Sequence, residues 1–467
     1  SQNLNVANFL YNGLFEDFER VRTGTEITKN PGDELSLLDR IFAGVNLCNP
    51  TTTNANGTCS NGPGGSNTFV SGPIGSTVGG IYQTAAYQMR SSSTFNDDLA
   101  IAAYEDLADS IKGFNYNNAA CTGCTNRFLP AIPTGHQGAA LRLNGFPDNF
   151  VDTNPQFGSA TIQNNSGYNN YHSFQAQVTT RPIQGFSGSI NYNWSKNLGL
   201  GAIANPVDRA VNYTNIGNNP GHSIRTNGTI ELPIGPNKLF FGNSSGWLAR
   251  AIERWQLGLI YNLSSGAPTS ITAQTMLYGN GLPDVRHHVD FNKIKGVRWG
   301  IPGGNNNQFL EGRYFDNGDV FVKVGDPLCD TVTNLQNLRA RGDCNLDALA
   351  MVVPEGTEDS FLLPDGRRVQ IVLQHAQPGK KGNLGNSTVV GMGTWRFDAN
   401  LGKTFQITES KTLQVRFDAQ NVLNHPQPGN PNLNINAADA FGNSIPFGQI
   451  TTKTGTRLLQ GQLRLSF

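Results

Sequence analysis

Apolar and polar residues alternate in seven segments of the chain from residue 171 onward, most weakly in 223–232. In the last of them, "RLLQGQLRLSF", the odd positions from Leu459 to Phe467 carry leucine, glycine or phenylalanine, whereas the even positions are polar. Because successive side chains of a strand point to opposite faces, this period predicts β-strands with one apolar and one polar face. The seven segments are 171–180, 186–194, 223–232, 254–263, 394–403, 412–421 and 457–467.

The composition of the polar face distinguishes between two architectures that both alternate, a membrane barrel and a soluble β-sandwich. This face carries mainly Gln, Asn, Ser and Thr, where a sandwich in bulk water tends to carry Lys and Glu. The apolar face carries aromatic residues near the strand ends, which is typical of outer-membrane barrels. The pattern favours transmembrane strands, with a soluble sandwich as the alternative.

The connections between these segments alternate in length. Long connections are expected at 196–222, 265–392 and 422–456, and the intervening ones are short or intermediate. Bacterial outer-membrane barrels have short periplasmic turns and longer extracellular loops. We therefore predict an all-β fold for residues 166–467, with antiparallel transmembrane β-barrel strands and long extracellular loops.

Residues 1–165 lack this alternation and are predicted to form a loop-rich, partly helical extracellular segment. Apolar residues recur at helical spacing in 33–47. A second helix is predicted over 96–113, with Asn96 as its N-cap and Gly113 as its end. The surrounding stretches are rich in Asn, Gly, Thr and Ser, which indicates loops.

The composition restricts the partners of the chain. The 467 residues have a formal net charge of zero and 15% charged residues, which argues against nucleic acid because phosphate binding needs a basic surface. The sequence contains no apolar run of about 18 residues, so no transmembrane helix is predicted. The first residues, "SQNLNVANFL", lack the basic and apolar regions of a signal peptide, as expected of a mature or truncated product.

The six cysteines form three pairs of near neighbours in sequence. Such spacing favours disulfides that close loops, and therefore an oxidising compartment on the extracellular side. The alternative for "CTGC", a redox motif, needs a preceding strand, and "NYNNAA" does not predict one. The predicted disulfides are Cys48 with Cys59, Cys121 with Cys124, and Cys329 with Cys344.

Charged residues on the polar face form a second group of candidates. In a barrel they would face the lumen, where charges need partners or water. We expect them to form a structural ladder between neighbouring strands, with ligand contact as the alternative. These residues are Arg396, Asp398, Arg416, Asp418 and Arg464.

The segment "DVRHHVD" is the weakest candidate, for a metal site. Its Asp284, His287, His288 and Asp290 are possible metal ligands, whereas an ordinary polar extracellular loop is the alternative. No G-x-S-x-G, P-loop or H-E-x-x-H motif occurs in the sequence. We therefore expect neither an enzyme nor a bound cofactor.

Several longer stretches resemble one family. "NYHSFQAQVTTRPIQGFSGSINYNWSKNLG", "ERWQLGLIYNLSSGAPTSI", "FDAQNVLNHPQPGNPN" and the final "FGQITTKTGTRLLQGQLRLSF" are similar to the C-terminal barrel portion of TonB-dependent-receptor-like outer-membrane proteins. The similarity is to the Oar-like group, whose members contain a carboxypeptidase-regulatory-like domain. It covers roughly 145–275 and 390–467.

This resemblance implies a location in the outer membrane of a Gram-negative-type bacterium. It also implies uptake of an unknown ligand or surface attachment. The implied partners are outer-membrane lipid, the barrel assembly machinery, and the plug and N-terminal barrel strands of the same receptor. A strand ending in Phe467 looks like the signal read by that machinery.

The departures from the family pattern are equally informative. No plug and no TonB-contacting segment are visible in the sequence, and seven strands do not close a bacterial barrel of even strand number. We therefore expect the chain to be the C-terminal part of a split, processed or truncated receptor. A different class of function, a secreted soluble β-rich binding or adhesive protein, is the alternative.

Overall fold

The structure is a computed structural model of the chain. It describes residues 2–3, 8–25, 29–45, 47, 72–91, 95–113, 141, 144–147, 149–154, 161–162, 167–183, 185–200, 213–216, 219–274, 281–289, 295–299, 312–315, 321–332, 344–380, 382–436, 447–450 and 452–467.

Seven long strands form one antiparallel sheet, which we call the strand wall. Each strand coincides with one alternating segment, so the seven predicted strands are confirmed. They are β1 Asn169–Ile183, β2 Phe186–Leu200, β3 His222–Glu231, β4 Gln256–Ser264, β5 Thr394–Gln406, β6 Thr412–Gln420 and β7 Leu458–Ser466. Each strand pairs with the next along the chain, so the wall is an up-and-down meander with β1 and β7 at its edges.

The two ends of the wall differ in the length of their connections. At one end, which we call the turn end, β1–β2 and β5–β6 are joined by tight turns, and β3–β4 by residues 232–255. At the other end, β1 begins, and the connections 201–221, 265–393 and 421–457 leave and re-enter the wall. The short strand Tyr213–Asn215 pairs with β2 at this end.

Six helices are described, and five of them precede the wall. They are α1 Leu14–Thr23, α2 Leu37–Ile41, α3 Ala85–Ser91, α4 Asn96–Ala100, α5 Tyr104–Gly113 and α6 Gly246–Ile252. Two 3-10 turns occur at Asn8–Leu10 and Pro327–Thr331. We call residues 8–113 the helical segment.

The predicted helices are shorter than the sequence pattern indicated. In 33–47, a capping box of Ser36 and Asp39 starts α2, and the helix ends at Ile41. The single helix predicted over 96–113 is two helices, α4 and α5. They are separated at Ala102, which adopts a left-handed φ of 56°. Asn96 is the first residue of α4, and Phe95 is its N-cap.

The long connections contain short strands of their own. One antiparallel sheet contains Asp284–Val285, Phe321–Gly325, Asp347–Val352, Ser360–Leu362 and Arg368–Gln374. A second contains Lys295–Trp299, Gly312–Phe315 and Gln449–Ile450. Two-stranded pairs are Gln2–Asn3 with Thr161–Ile162, Thr77–Val78 with Ile81–Tyr82, Pro268–Thr269 with Val389–Val390, and Gln427–Pro428 with Lys453–Thr454.

The described parts of 265–393 and 421–457 together form what we call the cap. The two connections share an apolar core that includes Ile271, Leu373, Ile435 and Ile450, all buried. At the base of the cap, a Cβ on Gly266 would lie 1.7 Å from the carbonyl oxygen of Gly391. The two ends of 265–393 therefore approach so closely that only glycine fits there.

A second core joins the helical segment to the cap. It contains Phe18, Leu38 and Leu107 from the helices, together with Leu328 and Leu346 from the cap. The division predicted at residue 165 thus separates two stretches of chain that share one core in space. The described parts of the helical segment and the cap lie at the same end of the wall.

Candidate functional site: the two faces of the strand wall

The strand register places apolar side chains of all seven strands on a single face. Residues directly opposite each other in an antiparallel pair share a face. Phe174 of β1 lies opposite Trp194 of β2. Further along the wall, Leu401 of β5 lies opposite Phe417 of β6. Many of these side chains are exposed, among them Phe174, Val178, Ile190, Phe417, Leu463 and Leu465.

Aromatic residues lie towards both ends of this apolar face. Tyr192, Trp194, Tyr261 and Trp395 lie towards the long connections, and Phe186, Trp255 and Phe405 lie near the turn end. From Trp395 to Phe405 the strand advances ten residues, or ~34 Å at the usual rise per residue. At a strand tilt of about 40° this spans about 26 Å, which matches an apolar band of ~25 Å between two aromatic girdles.

The polar face carries two ion pairs, one on β5 and one on β6. The guanidinium of Arg396 contacts Asp398 Oδ2 at 2.8 Å, and that of Arg416 contacts Asp418 Oδ1 at 2.8 Å. Both pairs join residues two apart on the same strand. The ion pairs therefore run along single strands and do not form the predicted ladder between neighbours, although Asp398 Oδ1 also accepts from the backbone nitrogen of Asn421, just after β6, at 2.7 Å.

The register gives the physical reason. The residues opposite Arg416 are Gly402 and Gln462, and the residue opposite Arg396 is Asn262. None of these is acidic, so each arginine pairs along its own strand. Arg464 lies opposite Gln414. That these residues face a lumen and bind no ligand stays a prediction.

The sequence analysis overlooked Lys403, a basic residue on the apolar face. It lies between Leu401 and Phe405 in the alternation and opposite Val415. Its side chain is almost fully buried because α6 packs over it, and its Nζ donates to the carbonyl oxygen of Arg250. The one signal in the sequence was a lysine at an apolar position of an alternating run.

The helical segment is attached to the cap through buried charged groups. Arg22, fully buried in α1, donates from Nη2 to the carbonyl oxygen of Leu328 at 2.7 Å and from Nη1 to Thr331 Oγ1 at 2.7 Å. Beside this contact, the buried Asp326 accepts from the backbone nitrogens of Leu328 and His375 and contacts His375 Nδ1 at 2.9 Å. Two carboxylate oxygens thereby hold together two parts of the cap, at Leu328 and at His375.

A disulfide closes the same part of the cap. Cys329 is bonded to Cys344, with their Cα atoms 5.5 Å apart, so this predicted pair is confirmed. Both cysteines belong to the core shared with the helices. The predicted pairs Cys48–Cys59 and Cys121–Cys124 lie outside the described residues.

The segment proposed for a metal does not converge in the structure. The Asp284 carboxylate accepts from the backbone nitrogen of Asn383 at 3.0 Å, whereas His287 Nε2 lies 3.8 Å from Asp359 Oδ2. Asp290 is outside the described residues. Over the described ranges, no group of three or more His, Cys, Asp or Glu residues could hold a metal ion.

Acidic residues of α4 and α5 titrate abnormally. Burial, together with the charges of Asp106 and Asp97, raises the pKa of Asp98 to about 6. Burial also raises the pKa of Glu105, with further contributions from Asp109, Asp106 and Asp152. These groups lie in the helical segment and form no part of the wall.

Comparison with known protein families identifies the family of the chain. Residues 108–460 match the family described as outer membrane beta barrel domain, and this range covers more than half of the chain. The chain belongs to this outer-membrane barrel family. Its location is therefore the outer membrane, which decides against the soluble sandwich and the secreted protein. No curated protein and no solved structure matches the chain.

Membership in the barrel family assigns an environment to each face of the wall. The continuous apolar face, with its two aromatic girdles, contacts lipid, as in other outer-membrane barrels. Because short turns of such barrels are periplasmic, we expect the turn end at the periplasmic surface and the cap at the extracellular surface. No helix within the described ranges is sufficiently long and apolar to cross a membrane. Phe467 follows β7 and is 91% exposed, and its role as an assembly signal stays a prediction.

Proposed function

We propose that the chain is the C-terminal barrel portion of a TonB-dependent-receptor-like transporter that takes up a ligand at the extracellular surface. The observation that supports this proposal most is the cap. The described parts of two long connections and of the helical segment gather over one end of the wall, with apolar cores of their own. Such an ordered surface above a lipid-facing wall suits capture of a ligand before its passage through a barrel.

The proposal includes further barrel strands, because the wall has two edges. In the part of the chain that the structure describes, β1 pairs only with β2, and β7 pairs only with β6. In lipid, each unpaired backbone group of such an edge would cost several kcal/mol. We propose that strands and a plug of the same receptor complete the barrel, and that the barrel assembly machinery inserts it.

The proposal assigns no chemical step to the chain. Its polar face has paired arginines and carboxylates, which are suited to hydration and to ligand passage. Surface attachment is the second function, since a large cap could equally bind an external surface.

Two measurements test the proposal. A tag inserted in the exposed turn at Gly366 allows purification from detergent-extracted outer membranes, where mass spectrometry should detect plug and additional barrel-strand peptides. Disruption of the gene should abolish uptake of one compound among labelled iron chelates, corrinoids and oligosaccharides, and a protonophore should reproduce the loss. Unchanged uptake of all three, with loss of adhesion to a surface, would support attachment instead.

A further inference from the structure

The connection between β3 and β4, residues 232–255, exposes large apolar side chains at the turn end of the wall. We call these residues the foot. Two of the exposed apolar residues belong to the helix α6, and the other three lie in the turn that precedes it. The side chains, with their exposed fractions, are Leu239 79%, Phe240 55%, Phe241 67%, Trp247 81% and Leu248 43%.

Several contacts place α6 on the lipid-facing side of the wall. Lys403 belongs to the apolar face, and its Nζ bonds to the carbonyl oxygen of Arg250 in α6. The same Nζ lies 4.6 Å from the ring centre of Phe405 and 5.9 Å from that of Trp255. Trp255 in turn donates from Nε1 to the carbonyl oxygen of Ala251 at 3.0 Å.

The strand lengths explain why α6 fits there. The last residue of β5 that pairs with β4 is Gly402, opposite Gln256. β5 continues to Gln406 and beyond this point pairs only with β6. The foot covers this step in the wall, so it lies on the lipid-facing side at the lower aromatic girdle.

The backbone of the foot holds its apolar side chains outward. The nitrogen of Gly235 donates to the carbonyl oxygen of Phe240, and the nitrogen of Phe240 donates to that of Pro233, each at 3.0 Å. Phe241 adopts a φ of 59°, in the left-handed region that bulky residues rarely occupy. The exposed phenylalanines thus belong to a hydrogen-bonded turn.

The foot carries more basic than acidic residues, and Lys238 pairs with Glu231, just before the foot, at 3.4 Å. The foot contains Lys238, Arg250 and Arg254 against one acidic residue, Glu253, whereas the whole chain has a net charge of zero. All three basic residues are exposed. An exposed apolar cluster with arginines in the same connection suits the boundary between acyl chains and anionic headgroups, and Trp and Phe at strand ends favour the same depth.

We propose that the foot binds phospholipids of the periplasmic leaflet, with Trp247, Phe240 and neighbouring apolar side chains at the acyl boundary and Arg250 and Arg254 on anionic headgroups. The occupant is lipid because the foot continues the lipid-facing surface of the wall through Lys403 and Trp255. The same contacts argue against a periplasmic protein as the main occupant. This inference needs only the outer-membrane location and does not depend on ligand uptake.

Photo-crosslinking in outer membranes tests the occupant. The full protein carries a photoreactive phenylalanine derivative at position 247 or 240, and a matched control carries it at Asp365, an exposed position in the cap. We expect phospholipid adducts by mass spectrometry at 247 and 240, and none at 365. A protein adduct at 247 without lipid, or equal lipid labelling at all three positions, would overturn the proposal.

Reconstitution tests the role of the charges. The protein with the photoreactive group at 247 is placed in vesicles of phosphatidylethanolamine with or without phosphatidylglycerol. Arg250→Gln together with Arg254→Gln should lower phosphatidylglycerol adducts roughly fivefold or more, since each basic residue near an anionic surface has an effect of that order. Adducts with phosphatidylethanolamine should be unchanged, which also reports that the variant is folded. Unchanged phosphatidylglycerol labelling would refute the headgroup contact.

Discussion

In the strand wall, Leu463 is 74% exposed and Phe417 is 54% exposed, whereas Leu107 and Phe18 of the helical segment have no exposed surface. Charged residues show the opposite distribution. Arg22 and Arg90 are fully buried among the helices, but Arg396 and Arg416 of the wall are about half exposed. The two regions therefore place the same residue types in opposite positions.

This difference follows from the surroundings of each region. The helical segment and cap fold as water-soluble proteins do, by packing apolar side chains into cores. The wall instead leaves one apolar face for the membrane, which is as apolar as leucine itself. Exposure of Leu463 is thus a property of a lipid-facing strand, and burial of Leu107 is a property of a core.

The largest expected effect concerns the buried pair of Asp326 and His375 in the cap, next to Leu328, whose carbonyl oxygen accepts from Arg22 of α1. Asp326→Ala leaves the nitrogens of Leu328 and His375 without their acceptor and His375 without its partner. Breaking such a buried pair costs about 3–5 kcal/mol. Hydrogen exchange of the protein in detergent should rise in 321–332 and in α1, while β5 and β6 stay protected. Equal deprotection of the wall would show that the two regions unfold together.

The comparison of core with wall can be made with one type of substitution. Leu107→Ala should destabilise the helical segment by about 2–5 kcal/mol, because it leaves a cavity in a packed core. Leu463→Ala leaves no cavity in a protein core. Apart from the lost contact with lipid, it should lower the free energy of unfolding by less than about 1 kcal/mol. Urea unfolding followed by proteolysis of each region measures both. Similar losses for both variants would place Leu463 in a protein core.

A charge on the lipid-facing side should reveal that face directly. Phe417→Arg is expected to cost about 2–4 kcal/mol, the range for arginine at depth on the lipid face of a barrel. The matched control is Gln460→Arg, which lies on the polar face opposite Asp418 and should be tolerated. The amount of protein in the outer membrane, measured by fractionation, should fall for the first variant only.

The disulfide is expected to act on the cap and on the core that it shares with the helices, and not on the wall. Replacing both Cys329 and Cys344 by serine opens a link across a sequence separation of 15, which corresponds to about 3 kcal/mol in the chain-entropy estimate. Thermal unfolding of the cap should occur at lower temperature, with the barrel mobility shift on gels unchanged. A reducing agent should have the same effect on the unaltered protein.

The smallest expected effect depends on pH. The pKa of Asp98 is raised from 3.8 to about 6, so the folded chain binds this proton more tightly than the unfolded chain does. The resulting stability is fully present below about pH 3.8 and is lost as the pH rises through about 6. Because Asp98 is half-buried, solvent reduces the effect to less than about 1 kcal/mol. Asp98→Asn should flatten the dependence of protease resistance on pH between these values.

Sequence analysis performed best where the signal lies in one strand. The seven alternating segments became seven strands because each face of a strand meets one environment, so residues two apart share it. The alternation did not explain Lys403, a basic residue on the apolar face. Its neighbour in space is α6, which the alternation along β5 does not reveal.

Prediction was weaker for the helices and weakest for the cap. Helical spacing in 96–113 did not reveal the break at Ala102, where the backbone adopts φ 56°. The core of the cap joins Leu373 to Ile435 across two connections, and no local pattern specifies such a distant contact. The charged residues of the polar face were predicted to pair across strands, whereas their ion pairs run along one strand. Register decides which side chains meet, and the sequence of one strand does not specify it.

The sequence by itself determined the strands, their two faces and the alternation of short and long connections, since these depend on residues close together in the chain. The tertiary structure alone decided that α6 covers the step between β4 and β5, and that Arg22 joins the helices to the cap. It also decided that Cys329 and Cys344 lie in a core shared with those helices. These features depend on contacts between residues far apart in sequence, whose free energy exists only once the chain has folded.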